Sequence, residues 1–556
     1  MRFVAGAAAV ALLAGGLGVT VPAQAAPTSP HAHAQTVTWG SCPSEYSDLQ
    51  SIHAQCATIQ VPLNPVKDPE GPTTTLEISM IQHTSSPSDY QGIILTNPGG
   101  PGGAGLDLNY YLTGALSAEA SQQTGQKAAN DEAAVADYDW IGFDPRGVDL
   151  SSPISCDPNY FSGDRKSYDP TTRALTQYWL KRSKTYADDC RKHGATQNAL
   201  LSNDTTIDSA YDMHAIMEAL GQTQLTYYGF SYGTYLGQVY SSLFPSTVKR
   251  IILDSNVDPR TVWYQANLNQ DVAFNRNVNI WFSWLAKYHK TYHLGTTEAQ
   301  VRRRWYAEQA RLAKHPIKVG KKAVVGPDEF SDIFLEAGYY EQTWLELGQA
   351  FSQWANTHSA KAGKAIVSLY EGTDTPGSDN SFAGYVAVEC TDVQWPLSWK
   401  KWDRDNTRIN KKYPFETWNN AWFNGPCLYW PYSASRPEKI NLKPVNSGLL
   451  VDETLDAATP FEGSEYIRSI FPNSVLLAEP GGTTHADSLD GDLCVDNTIA
   501  NYLATGFLPA RKAHAKWDIT CKPLPRPVAP KHLSAASSVP SSASLARVAD
   551  LAMLAG

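Results

Sequence analysis

Residues 225–238, LTYYGFSYGTYLGQ, constrain this chain more than any other stretch, because a run of strand-forming residues passes into helical spacing at a single serine, Ser231. Gly229 and Gly233 stand two residues to either side of it. A nucleophile on a sharp strand-to-helix turn occupies strained backbone, and side chains at those flanking positions would collide with the strand and the helix. As a string, G-x-S-x-G is weak, and an ordinary glycine turn competes with the functional reading. The residues around it must decide. Leu225, Thr226, Tyr227 and Tyr228 suit a buried strand, and residues 234–240 suit a helix.

The signals on either side place this turn in an α/β fold. Residues 56–62 and 74–80 alternate in the manner of opening strands, and 92–97 reads as a buried strand. That strand runs into 98–105, PGGPGGAG, a backbone poor in side chains that can approach a ligand closely and offer N–H groups to an anion. Residues 138–143 form the next strand and end in Asp144, Pro145, Arg146 and Gly147, where we expect Asp144 and Arg146 to be a structural ion pair. Helical periodicity over 205–220 stops at Gly221, and 250–253 is again a strand. This alternation implies a mostly parallel, doubly wound sheet with helices on both faces.

Residues 36–258 form the first part of this core. From 259 to 440 the composition shifts toward tryptophan, and we expect an inserted, largely helical cap whose aromatic residues mostly serve packing. The core resumes over 441–523, with strands at 448–452 and 474–478 and a helix near 496–505. Residues 524–556, rich in Pro, Ser and Ala, are expected not to fold.

Residues 1–25 read as a secretory signal peptide: Arg2, an apolar run, then Ala23, Gln24 and Ala25. No later stretch approaches the ~20 apolar residues of a membrane span. Eight cysteines without a C-x-x-C pair fit disulfides in an exported chain, and their order suggests four local bridges, Cys42 to Cys56, Cys156 to Cys190, Cys390 to Cys427 and Cys494 to Cys521. A formal charge of −10 without a basic stripe argues against nucleic acid or an anionic membrane as the main partner.

A serine nucleophile needs a base within reach and an acid to orient it, in the chain order Ser, Asp or Glu, His for this fold. Asp456 follows the strand at 448–452, and His485 follows the strand at 474–478. Both lie just past strand C-terminal ends, where a doubly wound sheet builds its site. Asp452, Asp254 and Asp258 are the rival acids, with Asp452 expected to belong to the strand end. His289, His358, His514 and His532 are the rival bases, in the cap, beyond the last strand or in the tail.

Together, residues 97–102 (NPGGPG), 142–147 (GFDPRG), 229–233 (GFSYG), 456–460 (DAATP), His485 and the following Cys494 resemble the secreted tripeptidyl aminopeptidases of actinomycetes, α/β-hydrolases related to the prolyl aminopeptidases. The likeness covers most of the mature chain. It implies Ser231, Asp456 and His485 as a triad and the backbone N–H groups of Gly100 and Tyr232 as an oxyanion hole, with no metal or organic cofactor. It also implies a secreted exopeptidase that removes short peptides, tripeptides foremost, from free N-termini of peptides and proteins. A carboxylesterase of the same fold and a prolyl aminopeptidase are the alternatives. A non-catalytic binding protein is disfavoured by the intact Ser, Asp, His order. Two positions depart from related patterns: Pro98 stands where the prolyl aminopeptidase branch has His, and Asp149 where such loops usually have Gly. Reading a substrate ammonium in a desolvated cleft calls for a facing carboxylate. The candidates are cap residues Glu336, Glu341, Glu389 and Asp392.

Overall fold

The computed structural model describes residues 35–162, 165–373 and 378–533. The expected signal peptide lies outside the described residues. Strands β1 (Gly40–Ser41), β2 (Gln55–Asn64), β3 (Asp68–Ile81), β4 (Ile93–Asn97), β5 (Asp139–Phe143), β6 (Leu225–Phe230) and β7 (Val248–Asp254) precede the cap, which carries the hairpin β8 (Ile317–Val319) and β9 (Lys322–Val325). Strands β10 (Gly448–Glu453), β11 (Ser474–Glu479) and β12 (Ile519–Thr520) follow it. The main sheet runs in the order β1-β2-β3-β5-β4-β6-β7-β10-β11-β12. It is antiparallel from β1 to β5 and parallel from β5 to β12.

The central strands are buried on both faces, so their sequences are nearly continuous apolar runs. Their side chains still divide by the period of two. Leu95, Tyr227, Ile251, Leu450 and Leu476 join one core with Met213, Ile216, Leu236 and Val239 from the helices Thr206–Ala219 and Tyr232–Leu243. Their neighbours Ile94, Tyr228, Ile252, Leu449 and Leu477 join another with Leu112, Leu116, Val495 and Ile499 from the helices Leu108–Gln122 and Leu493–Thr505. Helices thus cover both faces, and the strand ends are left free to build a site.

Between β7 and β10 the chain forms a mostly helical cap with its own aromatic core, in which Trp281, Trp305, Trp344, Phe330, Phe334 and Phe351 are buried together. Residues before 259 also pack onto the cap. Arg165, before the helix Arg173–Cys190, pairs with Glu329 at 2.8 Å and with Asp332, and Trp179 in that helix stacks on Trp422 with ring centroids 5.9 Å apart. The reason is burial. The amphipathic helix between β5 and β6 turns Trp179 outward from the sheet, and Trp418 and Trp422 supply its cover.

All four local disulfides form, with sequence separations of 14, 34, 37 and 27 residues. The expectation of an unfolded tail is corrected for 524–533. Arg526 pairs with Glu341 at 2.9 Å, the Trp284 indole donates to the Pro527 carbonyl at 2.9 Å and Thr291 donates to that of Pro530 at 2.7 Å. Prolines lack N–H groups but keep carbonyls, so such a segment can lie along the cap as an acceptor strip.

Arg146 is structural, but its partner is not Asp144. Its guanidinium meets both carboxylate oxygens of Asp212, at 2.7 and 2.6 Å, and donates to the carbonyls of Leu63, Asn203 and Pro62. Asp144 instead accepts the backbone N–H groups of Gly105 and Leu106, at 2.9 and 3.1 Å, and anchors the glycine-rich loop. The planar guanidinium points away from its own loop because a helix offers it a bidentate acceptor. Arg146→Ala leaves Asp212 a buried, unpaired charge and is expected to destabilise the protein by about 3–5 kcal/mol, read as a fall in the thermal or urea unfolding midpoint.

Candidate active site

Ser231 sits between β6 and the helix Tyr232–Leu243 with φ 52° and ψ −122°, a left-handed conformation forced on a residue with a side chain. The surroundings over-determine it. Its N–H donates to the Asp254 carbonyl at 3.0 Å, and its carbonyl accepts the Thr234 N–H and hydroxyl at 2.9 and 2.6 Å. The glycines are sterically required: a Cβ on Gly233 would lie 2.8 Å from the Asn97 carbonyl oxygen, and one on Gly229 would lie 2.6 Å from that of Gly233.

Asp456 and His485 meet in the loops that follow β10 and β11. His485 Nδ1 lies 2.7 Å from Asp456 Oδ2, with both side chains buried. The carboxylate is held by the N–H groups of Ala458 and Thr459, at 2.8 and 3.0 Å, and by the Thr459 hydroxyl at 2.9 Å. The rival acids are engaged elsewhere. Asp452 is part of β10 and accepts from Ser464 at 2.5 Å, Asp254 accepts the Ser488 N–H at 3.0 Å, and Asp258 pairs with Arg260 at 2.6 Å. Burial pushes the Asp254 carboxyl up to about 6. Two cap residues that the sequence did not single out brace these loops. Arg276 donates to the carbonyls of Leu455 and Asp456, and Asn277 to those of Gly338, Leu455 and Thr483. Adjacent polar residues in a long helix carry no pattern that separates them from a solvated face, so only the fold reveals them.

Gly100, with φ +102°, borders the same cavity as Ser231 and Tyr232. The Tyr232 N–H belongs to the first turn of its helix, where backbone N–H groups lack intrahelical acceptors and the helix dipole favours negative charge. The glycine-rich loop also seats the cap. A Cβ on Gly102 would run into the Ser381 carbonyl, and one on Gly384 would lie 3.1 Å from Gly102 Cα. Two facing glycines let the cap helix Asn380–Asp392 rest directly on the loop.

The cavity beneath the cap has a volume of about 1140 Å³. Of the cap tryptophans only Trp263 borders it among the described residues; the others are packing, as expected. Two of the four candidate carboxylates line it, Glu336 and Glu389. Burial pushes the Glu336 carboxyl up to about 8, and burial with the neighbouring Asp392 pushes Glu389 well above the usual range. The other two do not line it. Asp392 accepts the Thr206 N–H and hydroxyl, at 2.7 and 2.6 Å, and the Trp263 indole at 3.2 Å, while Glu341 faces Thr483 and Arg526. Glu389 and Asp392 are three positions apart and near one helix face, but Asp392 lies at the helix end against the core. Glu416 also lines the cavity, raised well above its usual range by burial, and was not anticipated; its sequence resembles any surface acid.

Comparison with known proteins extends this picture. Residues 92–363 match the family model of the alpha/beta hydrolase fold, and 413–515 match that of the TAP-like proteins. The chain is 38% identical to a tripeptidyl aminopeptidase of Streptomyces coelicolor, over 88% of this chain and 87% of that one. It belongs to the tripeptidyl aminopeptidase family of α/β-hydrolase serine peptidases. More distant members of the same similarity range include the serine protease Hip1 of Mycobacterium tuberculosis, 26% identical over 85% of this chain and 90% of that one. A carboxylesterase B of Mycobacterium tuberculosis is 27% identical over 90% of this chain and 95% of that one.

Within this family frame the unusual Asp149 has a physical account. Its φ of +41° is the conformation that glycine fills elsewhere, and here the side chain earns its place by accepting from the Tyr46 hydroxyl while its N–H donates to Asn380 at 2.8 Å. The loop after Arg146 is thereby tied to the cap. Because Asp392 holds the start of a core helix and does not face the cavity, Asp392→Ala is expected to lower stability by about 1–3 kcal/mol for each buried donor left unmet, measured by thermal unfolding.

Proposed function

We propose that this serine peptidase is a secreted exopeptidase that releases short peptides, tripeptides foremost, from the free N-termini of peptides and proteins. Ser231 is the nucleophile, His485 the base and Asp456 the acid that orients the imidazole. The observation that carries the exopeptidase reading is the cavity wall: Ser231 opens into a roofed space whose cap side bears the half-buried Glu336 and the buried Glu389. A buried carboxyl raised by desolvation regains its charged form when an ammonium is offered to it. The volume exceeds the ~300–1,000 Å³ of ordinary ligand pockets and leaves room for several residues. The name of the Streptomyces coelicolor relative supports tripeptides as the unit released, and the four disulfides support an exported protein.

Chemistry follows from these positions. Neutral His485 takes the Ser231 proton as the oxygen attacks the amide carbonyl, and the backbone N–H groups of Gly100 and Tyr232 hold the oxyanion. Collapse expels the leaving amine, which takes the proton back from the imidazolium. Water, deprotonated by the same imidazole, then releases the acyl group and restores Ser231. One oxyanion donor is typically worth about 2.7–4 kcal/mol of transition-state stabilisation.

The carboxylesterase reading keeps the same triad and has relatives of that name in its favour. Hydrolysis of a free-amine tripeptide anilide, its N-blocked form and a simple ester separates the two. The anilide with a free amine is expected to be the best substrate; preference for the ester, indifferent to the amine, overturns the exopeptidase reading. Ser231→Ala is expected to leave a folded protein that no longer reacts with a fluorophosphonate probe, and persistent labelling would remove Ser231 from its role. Glu389→Gln is expected to weaken kcat/KM for free-amine peptides by ~2–5 kcal/mol, the range for truncating one partner of a buried charge pair, with ester hydrolysis little changed.

A further inference from the structure

Three carboxylates converge where β10 and β11 end. Glu453 closes β10, Glu479 closes β11 and Asp487 lies two residues past His485. Their side chains belong to residues only 3%, 0% and 5% exposed, and one oxygen from each lies within 4.8 Å of the others. Crowded acids alone are not a site. The telling group is Glu479: it is fully buried, no N–H or hydroxyl among the described residues donates to either of its oxygens, and the side chain within hydrogen-bonding reach is a further carboxyl, Asp492. Asp487 Oδ2 shares that condition, while Glu453 accepts the Thr484 N–H. No lysine or arginine among the described residues pairs with any of the three, and the nearby Arg526 is engaged with Glu341. Burial first, and neighbouring carboxylates second, push all three carboxyls up, Glu479 to about 10. Such a cluster lacks a counter-charge.

We propose that Glu453, Glu479 and Asp487 bind a calcium ion that clasps the loop carrying Asp456 to the loop carrying His485. An all-oxygen donor set selects a hard cation, and calcium tolerates irregular coordination with oxygens at about 2.3–2.6 Å. Two ligands of one such ion can be no more than about 5 Å apart, a limit these oxygens meet. The two loops already touch beside the cluster: the Thr454 N–H donates to the Glu479 carbonyl at 3.2 Å, that of Leu455 to Gly482 at 3.0 Å and that of Gly481 to the Thr454 hydroxyl at 2.8 Å. A Cβ on Gly482 would strike the Glu453 carboxylate, so the loop closes tightly over it. The inference goes beyond the peptidase reading and does not depend on it, since it is read by binding and stability.

The test uses the full protein stripped with EGTA and titrated with calcium chloride, with magnesium chloride as control. Calorimetry is expected to show saturable calcium binding, with Kd at or below about 1 mM, the range of extracellular calcium modules. Saturating calcium is expected to raise Tm by at least about 2 °C, and magnesium by less. Glu479→Gln removes one ionisable ligand while keeping the side chain's shape, keeps the fold and is expected to weaken calcium binding at least tenfold, and Asp487→Asn likewise. Hydrogen exchange on the unmutated protein locates the ion without any variant: calcium must slow exchange over residues 480–492. Absence of calcium binding, binding unchanged in both variants, or protection confined to other segments overturns the proposal and leaves the carboxyls as neutral acids sharing protons.

Discussion

The tight backbone contact at Ser231 is the constraint on which the rest depends. Strand β6 and the helix after it meet with no side chain between them: Gly229 faces the Gly233 carbonyl, Gly233 faces Asn97, and the serine between them is held at φ 52°. Strain of that kind costs on the order of 1–3 kcal/mol and persists only where neighbours enforce it. They do so from three strands: Asn97 ends β4, Asp254 ends β7 and accepts the Ser231 N–H with its backbone carbonyl, and the Asp254 carboxylate reaches Ser488 beyond β11. The central sheet is therefore the device that keeps one side chain in an unfavourable conformation and aimed outward.

The cap is a second structure fastened to this frame along several elements. Gly102 and Gly384 bring loop and cap helix into backbone contact, Arg276 and Asn277 bind the two loops that follow β10 and β11, and Tyr339 accepts the His485 N–H at 2.9 Å. Each contact runs from the cap to backbone atoms of the loops, not to the side chains at their tips. The roof can thus locate the reactive groups without competing for their hydrogen bonds. Its tryptophans give rigidity at a distance, because a roof that frames a cavity of about 1140 Å³ must be stiff without filling it.

Buried acids divide the molecule by function. Asp144, Asp212 and Asp392 each meet backbone donors or a guanidinium and serve as internal fasteners. Glu336, Glu389 and Glu416 face the cavity, and Glu453, Glu479 and Asp487 face one another. Glu336, Glu389, Glu479 and Asp487 each keep at least one buried oxygen without a donor among the described residues. Such oxygens retain lone pairs that a cationic partner suits, which is why both proposals concern them.

Much of this was legible in the chain. The strand cores, the Ser231 turn, Asp456, His485 and the disulfide order follow from local periodicity, fixed motif spacing and chain order, because a parallel sheet brings successive strand ends to one edge. The glycine-rich loop was readable as a backbone surface for the same local reason. Other features depended on packing between segments far apart in sequence. Arg146 had two aspartates within plausible reach, and only the placement of the helix Thr206–Ala219 selected Asp212 over Asp144. Asp392 and Glu389 differ by less than one helical turn, yet one meets the core and the other the cavity. Segment 524–533 reads as disordered by composition and is held by three hydrogen bonds and ion pairs to the cap and its neighbours. Sequence determines which residue types recur at which spacing; which way a polar side chain faces is a sum over neighbours hundreds of residues away, and only the folded structure brings those neighbours into contact.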